Sequence, residues 1–275
     1  MNTDLINRLY KKYDIPNLEF GAIHDKLGDA YEEFLTIILE DTTHIHAFNS
    51  GTSLQTLEYR IFEQVLMRNQ VTRTHLISWI SATTDVPHRS TGGLPKTDII
   101  ARIHFDNGTT KTLTISSKQS TVRKVAMAEF DVETICREMN ITNPRLKALM
   151  LKHQRDCSAI NFTNQEKEEL TNLLRPIARD FVRWVVTGCK DTNPSDVAFP
   201  TSMVKYKIKS SADRYNINVS NGDFEFLSFS VFTMEEYIDT IMYNRNGTIK
   251  SGGFGTGLSW TYATGSGNTK IQFKG

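Results

Sequence analysis

The sequence predicts an α/β fold, a single domain spanning residues 1–275 with a central mixed β-sheet flanked by helices. Three observations carry this. Apolar residues recur at helical spacing through an N-terminal part of about residues 1–82. Two β-rich segments, "DIIARIHF" and "TKTLTISSK", enclose the turn Asp106-Asn107-Gly108. Helical patterning then resumes beyond Arg123, ahead of a further alternating region.

Taken in order, Leu5, Ile6, Leu9, Tyr10 and Tyr13 form one helical stripe, and Leu27, Tyr31, Phe34, Leu35, Ile38 and Leu39 a second. "SLQTLEYRIFEQVLMRN" and "TRTHLISWI" are expected to add two helices. Residues 83–98 have the Thr, Gly and Pro content of a loop. "KVAMAEFDVETICREM" and "RLKALMLKHQRD" read as helices, and Thr163-x-x-Glu166 is the spacing of a capping box. Pro176 is expected to kink or split the helix that follows. Residues 203–230 look like strands of a meander, and Thr233-x-x-Glu236 opens one more helix. The glycine-rich tail, about residues 250–275, has little helix or core signal.

Composition excludes several classes. No apolar run reaches the ~18 residues of a membrane span, so no membrane association is expected. "MNTDLINRLYKKY" lacks the basic and apolar regions of a signal peptide. Cys136, Cys157 and Cys189 are widely spaced, which suits reduced thiols in a cytoplasmic protein. Net charge is only +1, yet no acid occurs after Asp239, while Arg245, Lys250, Lys270 and Lys274 are basic. Arg123 and Lys124 form a second basic patch, and two such patches suit a polyanion as well as an ordinary solvated surface.

The hairpin supplies the sharpest geometry. Pairing Phe105 with Thr109 across the Asp-Asn-Gly turn fixes an antiparallel register in which Asp98 lies opposite Ser116. Lys118 is then a diagonal neighbour on the same face. A carboxylate, a hydroxyl and a lysine at the open end of a hairpin can hydrolyse phosphodiesters. The carboxylate holds Mg²⁺, a hard cation that favours oxygen ligands. The lysine orients or deprotonates the attacking water and offsets charge on the scissile phosphate. The pattern is a variant of the nuclease core Pro-Asp…(Asp/Glu)-x-Lys, with Pro95-Lys96-Thr97-Asp98 and Ser116-Ser117-Lys118 as its halves. By spacing alone the match is weak, and a hairpin that ends in Asp and Lys is more often plain surface.

The chain resembles the MspI family of type II restriction endonucleases. The resemblance rests on "GGLPKTD", "AEFDVETIC", "LKHQRDCSA", "FVRWVVT" and "FGTGLSWTYATGS…QFKG", which occur in the family's order. It implies a restriction-endonuclease-like core and a Mg²⁺-dependent enzyme that cuts double-stranded DNA at a short palindrome, CCGG. A cognate DNA methyltransferase would protect the host, and the enzyme would act as a monomer or a homodimer on DNA. Asp98 falls on the family's metal-binding aspartate and Lys118 on its catalytic lysine. Ser116 stands where the family uses asparagine, and the Ser117 carbonyl is a further metal-ligand candidate. "LGDAYEEF" aligns Glu32 with a family glutamate, and Gly28 would let a strand come close to that helix.

The tail has the chemistry to read bases. Lys274 can donate to guanine, Gln272 can pair with a base edge, and Thr261 and Thr264 can donate or accept. The resemblance assigns the same four residues to base reading. Trp260, Tyr262 and Phe273 are expected to anchor the tail by burial, and Arg123 and Lys124 suit phosphate contacts. His44-x-His46 lacks partners at zinc spacing, and "GGFGTG" lacks the ending of a nucleotide loop. Two other activities fit the same scaffold: a DNA-binding protein that has lost catalysis, and a nuclease of repair or of modified DNA.

Overall fold

The computed structural model describes residues 4–18, 20–90, 93–210, 224–263 and 266–275. The chain divides into two compact units, residues 1–123 with 193–234, and residues 124–192 with 235–275.

The first unit is built on a mixed sheet. Its strands are β1 (Ile77–Thr83), β2 (Ile99–Phe105), β3 (Thr110–Ser120), β5 (Ser202–Ser210) and β6 (Phe224–Thr233), in the order β1-β2-β3-β5-β6. Among the described strands only β3 and β5 run parallel. Parallel neighbours need a crossover connection, and here it carries most of the second unit's residues. Residues 211–223 of the expected meander lie outside the described residues.

Helices α1 (Asp4–Lys12), α2 (Phe20–Glu40), α3 (Thr42–Ser50) and α4 (Leu57–Arg68) supply the rest of this core. On α2 the expected stripe is real: Leu27, Tyr31, Phe34 and Leu35 are fully buried. Burying each such side chain is worth about 1.5–3 kcal/mol. Tyr31 stacks on Tyr206 of β5 at 4.4 Å and shares a 2.8 Å hydrogen bond with Tyr10. These contacts fix α2 against the sheet that carries the hairpin.

One expected helix is a strand. "TRTHLISWI" leads into β1, so the helical N-terminal part ends at Arg68 rather than near 82. Leu76, Ile77, Trp79 and Ile80 satisfy either periodicity over so short a run. Long-range bonds decide: the Asn49 side chain accepts from the Ile77 N–H at 3.0 Å and donates to its carbonyl at 2.9 Å.

The second unit holds helices around an antiparallel sheet of β4 (Ala126–Phe130), β8 (Ile271–Lys274) and β7 (Ser259–Tyr262), in that order. "KVAMAEFDVETICREM" is not one helix but β4 followed by α5 (Val132–Glu138). Asp131 stops the strand and starts the helix, its carboxylate accepting from Thr134 N at 2.7 Å. The glycine-rich tail, which had little core signal, contributes two strands and much of this core. Trp260 and Phe273 are buried, with ring centroids 5.0 Å apart, as their anchoring role required. Tyr262 is 40% exposed and anchors nothing by burial.

The helices α6 (Pro144–Asp156), α7 (Asn164–Leu174), α8 (Ala178–Thr187) and α9 (Met234–Met242) follow the predicted order. The Thr163–Glu166 capping box is formed, and Pro176 sits in a short 3₁₀ turn that separates α7 from α8. In "GGFGTG", Gly253, Gly255 and Gly257 take positive φ. At Gly257, φ is +74°, and a Cβ would fall 1.9 Å from the Ile241 carbonyl oxygen.

Candidate active site

The hairpin of the first unit has the expected register. Phe105 N donates to Thr109 O at 3.0 Å, and Gly108 adopts φ +80° in the turn between them. Ile99 then pairs with Ile115, and Asp98 N donates to Ile115 O at 2.9 Å. Just before the strand, the N–H groups of Lys96 and Thr97 both donate to the Ala198 carbonyl. This double contact fixes the approach of the chain to Asp98.

Three donors converge on one oxygen. Asp98 Oδ2 accepts from Ser116 Oγ at 3.0 Å, from Ser117 N at 2.8 Å and from Lys118 Nζ at 2.7 Å. Ser116 and Ser117 are buried, whereas the side chains of Asp98 and Lys118 keep 18% and 30% of their surface exposed. The carboxylate is thus held on a rigid strand frame yet open to solvent on one side. Charge-assisted bonds of this kind are the stronger class of hydrogen bond.

Glu32 belongs to the same electrostatic neighbourhood. Its carboxyl is pushed up to about 7, by burial first and then by the negative charge of Asp98, while Lys118 opposes the rise. Glu32 also lines a cavity of about 340 Å³ with Tyr13, Asp29, Glu33, Thr36 and the end of β1. Gly28, one turn earlier, faces Gln119 of β3, but a Cβ there would lie 3.7 Å from the Gln119 amide nitrogen. That is ordinary contact, so the close approach does not require glycine.

Lys96 is a site residue that spacing did not single out. Its amine is held down to about 8, by burial first and then by the positive charges of Lys118 and Arg89, with Asp98 opposing. The signal was faint: a lysine two residues before the aspartate, in the stretch "PKTD". His44, by contrast, is a core residue whose Nδ1 lies 3.0 Å from Ile38 O.

The donors at this site are oxygens: the Asp98 carboxylate, the Ser116 hydroxyl, backbone carbonyls and the nearby Glu32 carboxyl. Among the described residues no group of three His, Cys, Asp or Glu side chains is placed to hold a metal. The set therefore suits a hard divalent cation that keeps much of its water, not zinc held by nitrogen and sulfur.

In the second unit, three of the tail residues singled out from sequence share one sheet. Gln272 pairs with Thr261, and Lys274 with Ser259. Ile271 and Phe273 turn inward, so Gln272 and Lys274 alternate to the outer face. Thr264 lies outside the described residues. Lys124 is engaged within this unit, its amine donating to Gly257 O and Ser259 Oγ, each at 2.9 Å. Arg123, in the first unit, is exposed, and its carbonyl accepts from Lys205 Nζ at 2.8 Å.

Known structures give this geometry its class. The crystal structure of restriction endonuclease MspI in complex with its cognate DNA matches the chain with a TM-score of 0.84 and 32% identity, covering 100% of both chains. The fold is that of a restriction endonuclease, a DNA-cutting enzyme of the type II class, and such enzymes generally use a divalent metal. A family model for restriction endonuclease MspI matches residues 11–275, and the type II restriction enzyme MspI of Moraxella sp is 33% identical over 100% of both sequences. The chain belongs to the MspI family of type II restriction endonucleases. Among the described residues no helix is long and apolar enough to cross a membrane.

Proposed function

We propose that this restriction endonuclease cleaves double-stranded DNA at CCGG by Mg²⁺-dependent hydrolysis of one phosphodiester in each strand. The observation that carries the reading is the meeting of Ser116, Ser117 and Lys118 on Asp98 Oδ2. Asp98, Ser116 and the Ser117 carbonyl would hold the cation, with Glu32 near enough to act through a water or through Lys118. When bound, Mg²⁺ acidifies water and neutralises charge on the phosphate.

The chain's own groups do the rest. The Ser117 N–H and the Ser116 hydroxyl hold the Asp98 carboxylate in one orientation. Lys118 orients the attacking water and offsets the charge that builds on the phosphoryl oxygens. The water oxygen attacks phosphorus in line, and the bridging oxygen leaves on the opposite side and takes up a proton. Glu32, poised near neutrality, can take the proton that the water gives up.

Thr261, Thr264, Gln272 and Lys274 read base edges, and Arg123 and Lys124 lie in the basic stretch that accompanies the phosphate backbone. A palindrome can be met by two copies of the chain, or by one copy that cuts the strands in turn. A cognate methyltransferase protects host DNA in the cytoplasm, where both proteins meet it. Mapping cut ends on methylated and unmethylated plasmid DNA with Mg²⁺ tests the reading. Ends at unmethylated CCGG are expected; cutting at unrelated sequences, or on modified DNA alone, would overturn it.

A further inference from the structure

The outer face of the β4-β8-β7 sheet carries a carboxylate, Glu129, beside the residues expected to read bases. Register sets Glu129, Gln272 and Thr261 in one row, and Ala126, Lys274 and Ser259 in the next. Gln272 Nε2 donates to Glu129 Oε1 at 2.7 Å. A carboxylate can only accept, so this bond fixes which way the amide lies. The amide oxygen is thereby turned to the other side, where the Thr261 hydroxyl lies 3.4 Å away. Glu129 itself remains exposed.

An exposed carboxylate on a surface that meets DNA repels phosphate and needs a donor opposite it. Duplex DNA offers such donors on the amino groups of bases: cytosine N4 and adenine N6 in the major groove, guanine N2 in the minor groove. In the next row Lys274 presents an ammonium, the partner of guanine O6 and N7. An acceptor beside a cationic donor matches a cytosine and a guanine read together in the major groove.

We infer that Glu129 is a specificity-determining residue, its carboxylate accepting a hydrogen bond from the N4 amino group of a cytosine in the recognition sequence. The inference rests on the restriction-endonuclease reading above. It adds a contact that discriminates cytosine from thymine, whose C4 oxygen would face the carboxylate with two acceptors opposed.

The recognition sequence is first mapped from wild-type cut ends, so a site other than CCGG refutes that assignment alone. Each of its cytosines is then replaced in turn by 2-pyrimidinone, which lacks the N4 amino group, and each guanine by hypoxanthine, which lacks N2. Cleavage rates are compared for wild type, Glu129→Ala and Glu129→Gln; the last keeps the side chain's shape should the alanine variant lose its fold. At one cytosine the wild type should lose at least about tenfold, and Glu129→Ala almost nothing further, because the two changes remove the same bond. Equal losses in wild type and variants at every cytosine would overturn the inference. So would coupling to hypoxanthine, or a mapped sequence without cytosine.

Discussion

Asp98 and Lys118 meet at 2.7 Å, although 20 positions separate them in sequence. The Asp106-Asn107-Gly108 turn makes that meeting inevitable once the strands pair, because every paired position then counts outward from Phe105 and Thr109. The ion pair is half of a site; an approaching phosphate and a cation would divide it, the cation going to the carboxylate and the phosphate to the ammonium.

Glu32 should make the protein pH-sensitive in a defined direction. Its folded value of about 7 lies above the ordinary 4.5. Between those values the folded chain keeps a proton that the unfolded chain has released, so stability falls as pH rises from 4.5 to 7. The displacement corresponds to on the order of 3 kcal/mol. Glu32→Gln is expected to raise the melting temperature at pH 8 and to leave it nearly unchanged at pH 4. In cleavage assays it should also flatten the rise of rate through neutrality.

Ser116 tests how the cation is held. Ser116→Ala removes the proposed hydroxyl ligand and one bond to Asp98, and should raise the Mg²⁺ concentration for half-maximal cleavage by about tenfold. Ser116→Asp adds a charged ligand and should lower that concentration. Titration of cleavage rate against Mg²⁺ reads both; an unchanged midpoint in both variants would remove Ser116 from the metal site.

Two glycines of the second unit, Gly247 and Gly257, differ in what they tolerate. A Cβ at Gly257 would collide with the Ile241 carbonyl, whereas at Gly247, with φ +79°, nothing lies within 4 Å. Gly257→Ala is therefore expected to cost about 3 kcal/mol or more, and Gly247→Ala about 1 kcal/mol for the backbone conformation alone. Thermal melts of the two variants should rank them in that order.

His153 makes the second unit acid-sensitive. It is buried among Phe162, Phe254 and Trp260, and burial holds its imidazole down to about 4. Between 6.5 and 4 the unfolded chain takes up a proton that the folded chain refuses, so stability falls as pH drops through that window. The loss in melting temperature from pH 7 to pH 4 should be smaller in His153→Leu than in wild type.

The hairpin was legible because its determinants are local: a turn type, a strand alternation and a two-residue side-chain period. β1 was not, since Asn49, 28 positions earlier, holds the Ile77 backbone in place. Nor were β4 and β8, whose pairing joins Glu129 to Gln272 across 143 positions of sequence. Glu32 entered through family resemblance, because no spacing rule ties a helix carboxylate to a strand lysine. The environment of Lys96 depends on burial and on the charges of Lys118 and Arg89, which no local pattern states.

The central claim is that the Asp98–Lys118 pair cuts DNA. The direct measurement incubates plasmid DNA and Mg²⁺ with wild type, Asp98→Ala and Lys118→Ala, each shown to be folded and each assayed for binding to the mapped sequence. Discrete fragments from wild type are expected, with a loss of at least about 10³-fold in cleavage rate for each variant and specific binding largely retained. Full cutting by either folded variant would contradict the account.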